Sequence, residues 1–156
     1  MLKPVAYSVE LTIPDNEAYT TLVTLVRLGI VCRKLERSEV WVFDVEEARA
    51  DDLEAQIRSI ETIFNPNKHV LFALGSPRPR PGEVWVGERD EDAGQPRPAA
   101  LREVRLAGRT LEGVFGYRRY KGWRLWESEG EVASQEVIAN AAETLLCNPA
   151  FQVIIT

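Results

Sequence analysis

Cysteine and histidine are scarce in this chain, and their scarcity excludes several classes of protein. Its 156 residues include two cysteines and one histidine. A small secreted domain held together by disulfides needs more cysteines, so Cys32 and Cys147 are expected to be reduced thiols in the cytoplasm. The spacing of cysteine and histidine also matches no zinc site. We therefore predict neither a disulfide framework nor a bound metal.

Long apolar runs are absent as well. No stretch approaches the roughly 20 residues that a membrane-spanning helix needs, and residues 1–10 lack the apolar core of a secretory signal peptide. The formal net charge of −5 at pH 7 favours solubility and argues against nucleic acid as a general partner. The sequence thus predicts a cytoplasmic protein that has no membrane contact.

Residue combinations that support catalysis are also missing. His69 follows Lys68 and has no cysteine or pair of carboxylates near it, so we interpret it as an ordinary residue at a strand edge. The acidic residues within 46–54 are interpreted as a solvated helix start, and residues 90–92 lack the closing glutamate of a calcium loop. Activated nucleophiles and phosphate-binding loops are not found. We expect no cofactor and no catalytic residue of the chain's own.

The most informative positive feature is that both halves of the chain end alike. An apolar helical pattern stops at Asn65-Pro66 and is followed by a strand pattern at 70–74. A second helical pattern stops at Asn148-Pro149 and is followed by a strand pattern at 151–155. The residue before a proline disfavours helical geometry, so each Asn-Pro pair ends a helix. The repeated ending indicates a tandem duplication.

The first half has the order strand, helix, long strand, helix and strand. Residues 7–13 alternate as a half-buried strand does, and Asp15 or Asn16 can cap the helix that follows. Residues 31–45 exceed the usual strand length and form either one bent strand or a hairpin that turns near 36–38. The predicted apolar faces of the two helices comprise Tyr19, Leu22, Val23, Leu25 and Val26, and then Leu53, Ile57, Ile60 and Phe64.

The second half repeats this order less completely. A short strand is predicted at 83–87, and a proline-rich helix start at 96–104. Residues 111–127 give the second long strand pattern, and Ser134 can cap the final helix. The predicted inward face of that helix comprises Val137, Ile138, Ala141, Leu145 and Leu146.

Alternating prolines separate the two halves. Prolines cannot continue a helix or a sheet ladder, so residues 76–82 are expected to form a stiff linker. We predict an α+β fold of two tandem units, at 1–75 and 83–156. A unit of about 75 residues buries only a modest share of its surface when it is alone. We therefore expect the units to pack as a pseudo-dimer whose sheets share an edge or a face.

The second long strand carries the densest group of cations and aromatic residues. On a regular strand, the even-numbered residues of 118–122 lie on one face and the odd-numbered residues of 119–123 on the other. The positive charge is thus divided between two faces, which favours a subunit contact over anion binding, and both over an RNA surface.

The element order, together with a second helix that ends at Asn-Pro, resembles PurS, the small subunit of bacterial phosphoribosylformylglycinamidine synthase. In that family the long strand carries an arginine, a Gly-Lys pair and an apolar stretch. Arg118 and Lys121 stand at comparable spacing here, with Gly122 after the lysine, and Arg33 is the match in the first unit. The family's Asp-Pro-Gln-Gly helix start is absent from both units.

The resemblance implies two ferredoxin-like-related units, similar to a covalent pair of PurS subunits. PurS is non-catalytic: it bridges the ATP-dependent amidotransferase subunit and the glutaminase subunit in purine biosynthesis and helps ammonia pass between them. By this resemblance Arg33, Arg118 and Lys121 would contact a subunit or an anion. Whether the chain serves purine synthesis or is a diverged paralogue stays open, as does formation of a homo-oligomer.

Two other functions remain open at the level of sequence. One is a regulatory α/β sandwich module that binds a small ligand in the groove between its pseudo-symmetric units. The other, weaker one is an RNA-binding ferredoxin-like domain, whose affinity would depend strongly on salt and which the acidic net charge disfavours.

Overall fold

A computed structural model describes residues 1–89 and 102–156, which adopt a mixed α+β fold. The helices are α1 (Asn16–Arg27), α2 (Leu53–Arg58) and α3 (Gln135–Ala141), with a 3-10 helix at Glu47–Asp52 and a π-helix at Ala142–Leu146. The strands are β1 (Leu2–Leu11), β2 (Lys34–Glu46), β3 (His69–Leu74), β4 (Glu83–Glu88), β5 (Arg105–Leu106), β6 (Arg109–Thr110), β7 (Val114–Ser128), β8 (Glu131–Val132) and β9 (Gln152–Ile155). The predicted α+β class is thus confirmed.

One antiparallel sheet has the strand order β3-β1-β2-β7-β4-β9, and β8 pairs with the end of β7. The long strands β2 and β7 pair at its centre, from Lys34 opposite Trp126 to Val45 opposite Val114. β2 is one continuous strand, so the alternative of a hairpin within residues 31–45 is wrong. The strands of the two halves are therefore joined edge to edge.

The helix starts follow from their capping residues. The Asp15 carboxylate accepts a hydrogen bond from the Ala18 N–H at 3.1 Å, and the Ser134 hydroxyl accepts one from the Val137 N–H at 3.3 Å. Such caps satisfy backbone donors that the first helical turn leaves unpaired. Both predicted helix starts are confirmed.

Two predicted helix faces are narrower than expected. On α1, Tyr19 is 69% exposed and Val26 is 54% exposed, while Ala18 and Leu25 are buried. Positions 18, 22 and 25 follow one another along a single stripe, and each neighbouring residue is turned about 100° away from that stripe. Leu145, after α3, is exposed for the same reason. The prediction that these three side chains face inward is wrong.

The helix predicted at 96–104 does not extend to Val104. This residue lies in an extended segment, where its N–H donates to the Val114 carbonyl and its carbonyl accepts from the Leu111 N–H, each at 2.8 Å. These bonds fix the segment to the start of β7 in place of a helical turn. Residues 102 and 103 are not helical either, and residues 90–92 and 96–101 lie outside the described residues.

The helix predicted to end at Asn65-Pro66 is shorter than expected. α2 ends at Arg58, and turns connect it to Asn65. The prediction that the Asn65-Pro66 pair ends this helix is therefore wrong, although Ile60 and Phe64 are buried as predicted.

The helices share one face of the sheet, which we call the helix face. Side chains alternate along β2, so Leu35, Trp41 and Phe43 point to the same side. Leu35 packs in a buried cluster with α1 and α3, whereas Trp41 and Phe43 pack in a second cluster with residues of α2. Each cluster draws on both halves of the chain: Leu125 completes the first and Val114 the second.

The proline-rich linker is fastened by a buried ion pair on the opposite face of the sheet. Arg80 in the linker donates to the Glu83 carboxylate at 2.8 Å and to Glu10 at 3.1 Å. The indole N–H of Trp85 also donates to Glu83, at 2.9 Å, and Glu83 is only 1% exposed. Burial alone would lower the pKa of Arg80, but the two carboxylates, Glu83 above all, raise it beyond its ordinary value.

Replacing Arg80 by alanine should destabilise the fold by about 3–5 kcal/mol, since it leaves the Glu83 carboxylate buried without its cation. The matched control is Arg78→Ala, an exposed arginine of the same linker, which should change the free energy of unfolding by less than about 0.5 kcal/mol. Chemical denaturation measures both. Adding Glu83→Gln to Arg80→Ala should restore part of the loss. Equal stability of the Arg80→Ala and Arg78→Ala variants would contradict the contact's importance.

Candidate functional site

The centre of the helix face is charged, in contrast to its two ends. In the β2–β7 pair, Glu39 lies opposite Lys121. The neighbouring pairs on the same face are Arg37 with Trp123 and Trp41 with Arg119. The two buried clusters begin at Trp123 and Trp41 and continue toward either end of the strands. The sheet therefore presents a polar floor between two apolar cores.

A groove of about 400 Å³ lies over this floor, and we call it the axial groove. One wall is formed by the chain after α2 and the start of β3, and the other by β4 and β9. Its lining residues are Val9, Leu11, Arg37, Ser38, Glu39, Thr62, Ile63, His69, Val86, Glu88, Arg119, Tyr120, Lys121 and Gln152. A smaller cavity of about 250 Å³ shares Val86, Lys121 and Gln152 with it and reaches the threonines of α1. Together they form a concave polar surface in the middle of the sheet.

Two cations of the groove are held by the first turn of α1. The Arg37 guanidinium pairs with Asp15, at 2.9 Å, and also with Glu17. The Lys121 ammonium pairs with Glu17 at 2.8 Å. Burial lowers the pKa of Lys121, the nearby Arg37 lowers it further, and Asp15 and Glu88 oppose the shift. Glu17 thus links the cations of two strands to one helix.

Aromatic rings lie beneath two of the groove's cations. The Arg119 guanidinium lies 5.5 Å from the centre of the Trp41 ring, and the Lys121 ammonium lies 5.8 Å from that of Trp123. Cations at such distances are attracted by the ring face. Both tryptophans are 4% exposed, and within the described ranges their indole N–H groups have no hydrogen-bond partner. The rings therefore act as apolar supports for the cations.

His69 is fixed by the turn at Asn65-Pro66, which precedes β3. Its Nδ1 accepts a hydrogen bond from the Asn65 N–H at 2.9 Å, which leaves the proton of the neutral ring on Nε2. Its ring also contacts Phe64, with ring centres 6.2 Å apart. Burial lowers the pKa of His69, Lys68 lowers it further, and Glu39 acts in the opposite direction. His69 is therefore a neutral group at the wall of the groove at pH 7.

The three residues singled out from the sequence are not brought together. Lys121 lies in the axial groove. Arg118 lies on the opposite face, 4.0 Å from Asp44, so the predicted division of strand residues between two faces is confirmed. Arg33 precedes β2 and borders a separate shallow pocket beside α1. These positions leave the assigned roles of Arg33, Arg118 and Lys121 as predictions.

Sequence reasoning missed Arg37, Glu39 and Arg119 as members of one site, and it set His69 aside. The signal that was available is the alternation of charge and tryptophan at 37, 39 and 41 and again at 119, 121 and 123. Local alternation assigns each set to one face. Only the β2–β7 register shows that the two sets lie side by side.

The thiols and the acidic groups give no sign of a metal centre. Across residues 1–89 and 102–156, no three His, Cys, Asp or Glu side chains are grouped to hold a metal ion. Cys32 and Cys147 are both free, and burial raises the pKa of each thiol. In the same two ranges, no helix has the length and apolar character needed to cross a membrane.

The lowered pKa of His69 predicts a pH-dependent loss of stability. The unfolded chain binds the proton near pH 6.5, whereas the folded chain binds it only at lower pH, where protonation of Nδ1 would break the Asn65 bond. Stability contributed by neutral His69 is thus present above pH 6.5 and is lost as the pH falls toward the folded pKa. A His69→Gln variant should lack this loss.

An NMR titration measures this pKa directly, because the chain has a single histidine. The expected midpoint lies below 6.5. Denaturation midpoints at pH 7 and at pH 5.5, compared between the wild type and His69→Gln, measure the loss. A midpoint at or above 6.5 in the folded protein would show that the interpretation is wrong.

Comparison with known proteins assigns no family to this fold and groove. No protein-family model matches the chain, and a search of curated proteins finds no match.

Proposed function

We propose that the chain is a tandem PurS-like protein, a non-catalytic cytoplasmic subunit that bridges the glutaminase and amidotransferase subunits of a purine synthase. Its two units would be residues 1–75 and 83–156, joined by the linker at 76–82. The observation that carries this proposal is the arrangement of the sheet. Apart from the short β8, each half contributes three strands to this sheet in the same relative order, and the halves meet through their long strands.

The strand order supports a duplication directly. In the first half, β1 lies between the long strand β2 and the closing strand β3. In the second half, β4 lies between the long strand β7 and the closing strand β9. Both closing strands follow an Asn-Pro pair. Such a match of element order, pairing and turn chemistry is what two copies of one unit would produce.

The pairing at the centre of the sheet supports the same reading residue by residue. The separation in sequence is identical for Arg37 and Arg119, for Glu39 and Lys121, and for Trp41 and Trp123. In the sheet Glu39 lies directly opposite Lys121. On either side of this pair, Arg37 lies opposite Trp123 and Trp41 lies opposite Arg119. A pseudo-twofold axis through the Glu39–Lys121 pair would relate the halves in this way.

A covalent pair suits a bridging role because its two ends are free to differ. β3 forms one edge of the sheet and leaves Val70 and Phe72 exposed, whereas β9 forms the other edge and leaves Ile154 exposed. Edge strands offer unpaired backbone groups to a partner chain. Two unlike edges at opposite ends of one sheet would let a single chain contact two unlike subunits.

A reconstituted synthase tests this function. The chain should co-purify with the two partner subunits and should be required for activity with glutamine, but not for activity with added ammonia. The reason is that a bridge that helps ammonia to pass is needed only when the glutaminase supplies it. Activity is measured as product formed with each nitrogen source, with and without the chain.

The decisive control is deletion of the gene. Purine auxotrophy, rescued by the intact gene, would support the proposal. Normal growth without purines, together with a pull-down that captures neither subunit, would refute it.

A second candidate function is favoured by the axial groove. A concave site of about 400 Å³ on a pseudo-twofold axis lies within the size range of small-ligand pockets, roughly 300–1,000 Å³. The chain would then be a regulatory module that binds a small ligand between its two halves.

Thermal denaturation with a panel of nucleotides and amino acids tests this second candidate. A ligand that binds only the folded chain raises the melting temperature, by an amount that grows with its concentration. At a ligand concentration 100 times Kd the stabilisation is about 2.7 kcal/mol. A flat response across the panel would count against a regulatory ligand of either class.

A further inference from the structure

We infer that the axial groove binds a small ligand through an oxyanion, a carboxylate or a phosphate, which Arg119 and Lys121 recognise from the floor and His69 from the wall. This inference rests on the second proposed function and is independent of the bridging role. It names the ligand's charged group and the side chains that would contact it.

The side chains of the groove converge from separate parts of the chain. Arg119 and Lys121 project from β7 on the same face, while His69 comes from the start of β3. Arg37 from β2 adds a third permanent cation. A single oxyanion offers several acceptor sites, so donors that reach one groove from different strands can be satisfied together. Arginine and lysine donors give the stronger, charge-assisted hydrogen bonds.

The balance of charge in the lining favours an anion over a cation. Its permanent cations are Arg37, Arg119 and Lys121, and its carboxylates are Glu39 and Glu88. Burial lowers the pKa of Lys121, and the neighbouring Arg37 lowers it further. The repulsion between these two cations is the part of the shift that a negative ligand would relieve.

The Lys121 ammonium can exchange its present partner for a ligand. Its ion pair with Glu17 at 2.8 Å joins side chains that are 47% and 45% exposed. Exposed pairs of this kind contribute only about 0–1 kcal/mol. Arg37 by contrast is held by two carboxylates of α1 and is less exposed, at 26%. Lys121 is therefore more readily given to a ligand than Arg37.

Protonation of His69 would couple binding to pH. The charged groups that act on its ring are Lys68 and Glu39, Phe64 contacts it, and Arg37, Glu88, Arg119 and Lys121 are the other charged groups of the lining. A bound oxyanion favours the charged imidazole, so its pKa should rise on binding and affinity should increase as the pH falls through the titration range of His69.

NMR titration of the full chain tests the site, with the His69 ring signals as the reporter and ionic strength held constant with sodium chloride. Inorganic phosphate and succinate are the two probes, which distinguish phosphate from carboxylate recognition. The wild type should show a saturable shift with at least one of them. Arg119→Gln and Lys121→Gln should each weaken binding about tenfold, which is the loss of one charge-assisted contact worth about 1.4 kcal/mol.

The matched control is Arg118→Gln, which removes the same charge from the adjacent residue on the opposite face and should leave binding unchanged. His69→Gln, followed by calorimetry, should bind without the increase in affinity at low pH. Thermal unfolding checks that each variant is folded. If a variant does not fold, the titration of the wild type alone tests the inference.

Two results would overturn the inference: no saturable shift of the wild type with either probe, or equal weakening by Arg118→Gln and Arg119→Gln, which would indicate non-specific charge. Either result would leave the glutamine-dependent assay, and so the bridging role, untouched.

Discussion

The pairing of β2 with β7 is the interaction on which the rest of the structure depends. It runs the length of both long strands and is the only direct strand contact between the two halves among the described residues. Leu35 and Leu125 lie opposite each other in one core cluster, and Phe43 and Tyr117 lie opposite each other in the other. Without this pairing each cluster would lose one side, so neither half completes an apolar core alone.

The same pairing explains why the middle of the sheet is charged. α1 and α3 cover one end of the helix face and residues of α2 cover the other, so the floor between them remains open to water. Charged side chains are tolerated there because their stems lie on the sheet while their heads reach solvent or one another. Trp41 and Trp123 continue the apolar cores beneath these charges. A groove with a polar floor is thus a consequence of how the helices divide the sheet.

Sequence reasoning reached those features that local patterns encode. Alternation along β7 correctly separated Arg118 from Lys121, and the Asp15 and Ser134 caps located helix starts. The Asn148-Pro149 pair located the end of the last helical segment, whereas α2 ends at Arg58, well before Asn65-Pro66. It could not reach features that depend on strand register, because register is a property of two distant segments. The approach of Arg119 to Trp41, and the burial of Glu83 against Arg80, exist only once β2 meets β7 and the linker crosses to β4. The apolar face of α1 was predicted to be wider than its buried face, because burial depends on where the helix lies on the sheet.

The proposed duplication gives the charges on the axis a physical reason. In a symmetric dimer of one unit, the residues on the twofold axis would be identical and directly opposite, two glutamates or two lysines. Like charges directly opposite each other in an antiparallel pair are destabilising. In this chain the two positions are Glu39 and Lys121, so no like charges lie directly opposite each other. A covalent pair can acquire that difference, because each unit then has its own sequence. The same freedom allows the two positions to have different partners. Lys121 pairs with Glu17 of α1, whereas Glu39 acts on His69. A fused chain can therefore build an asymmetric site on an axis where a homodimer must repeat each residue.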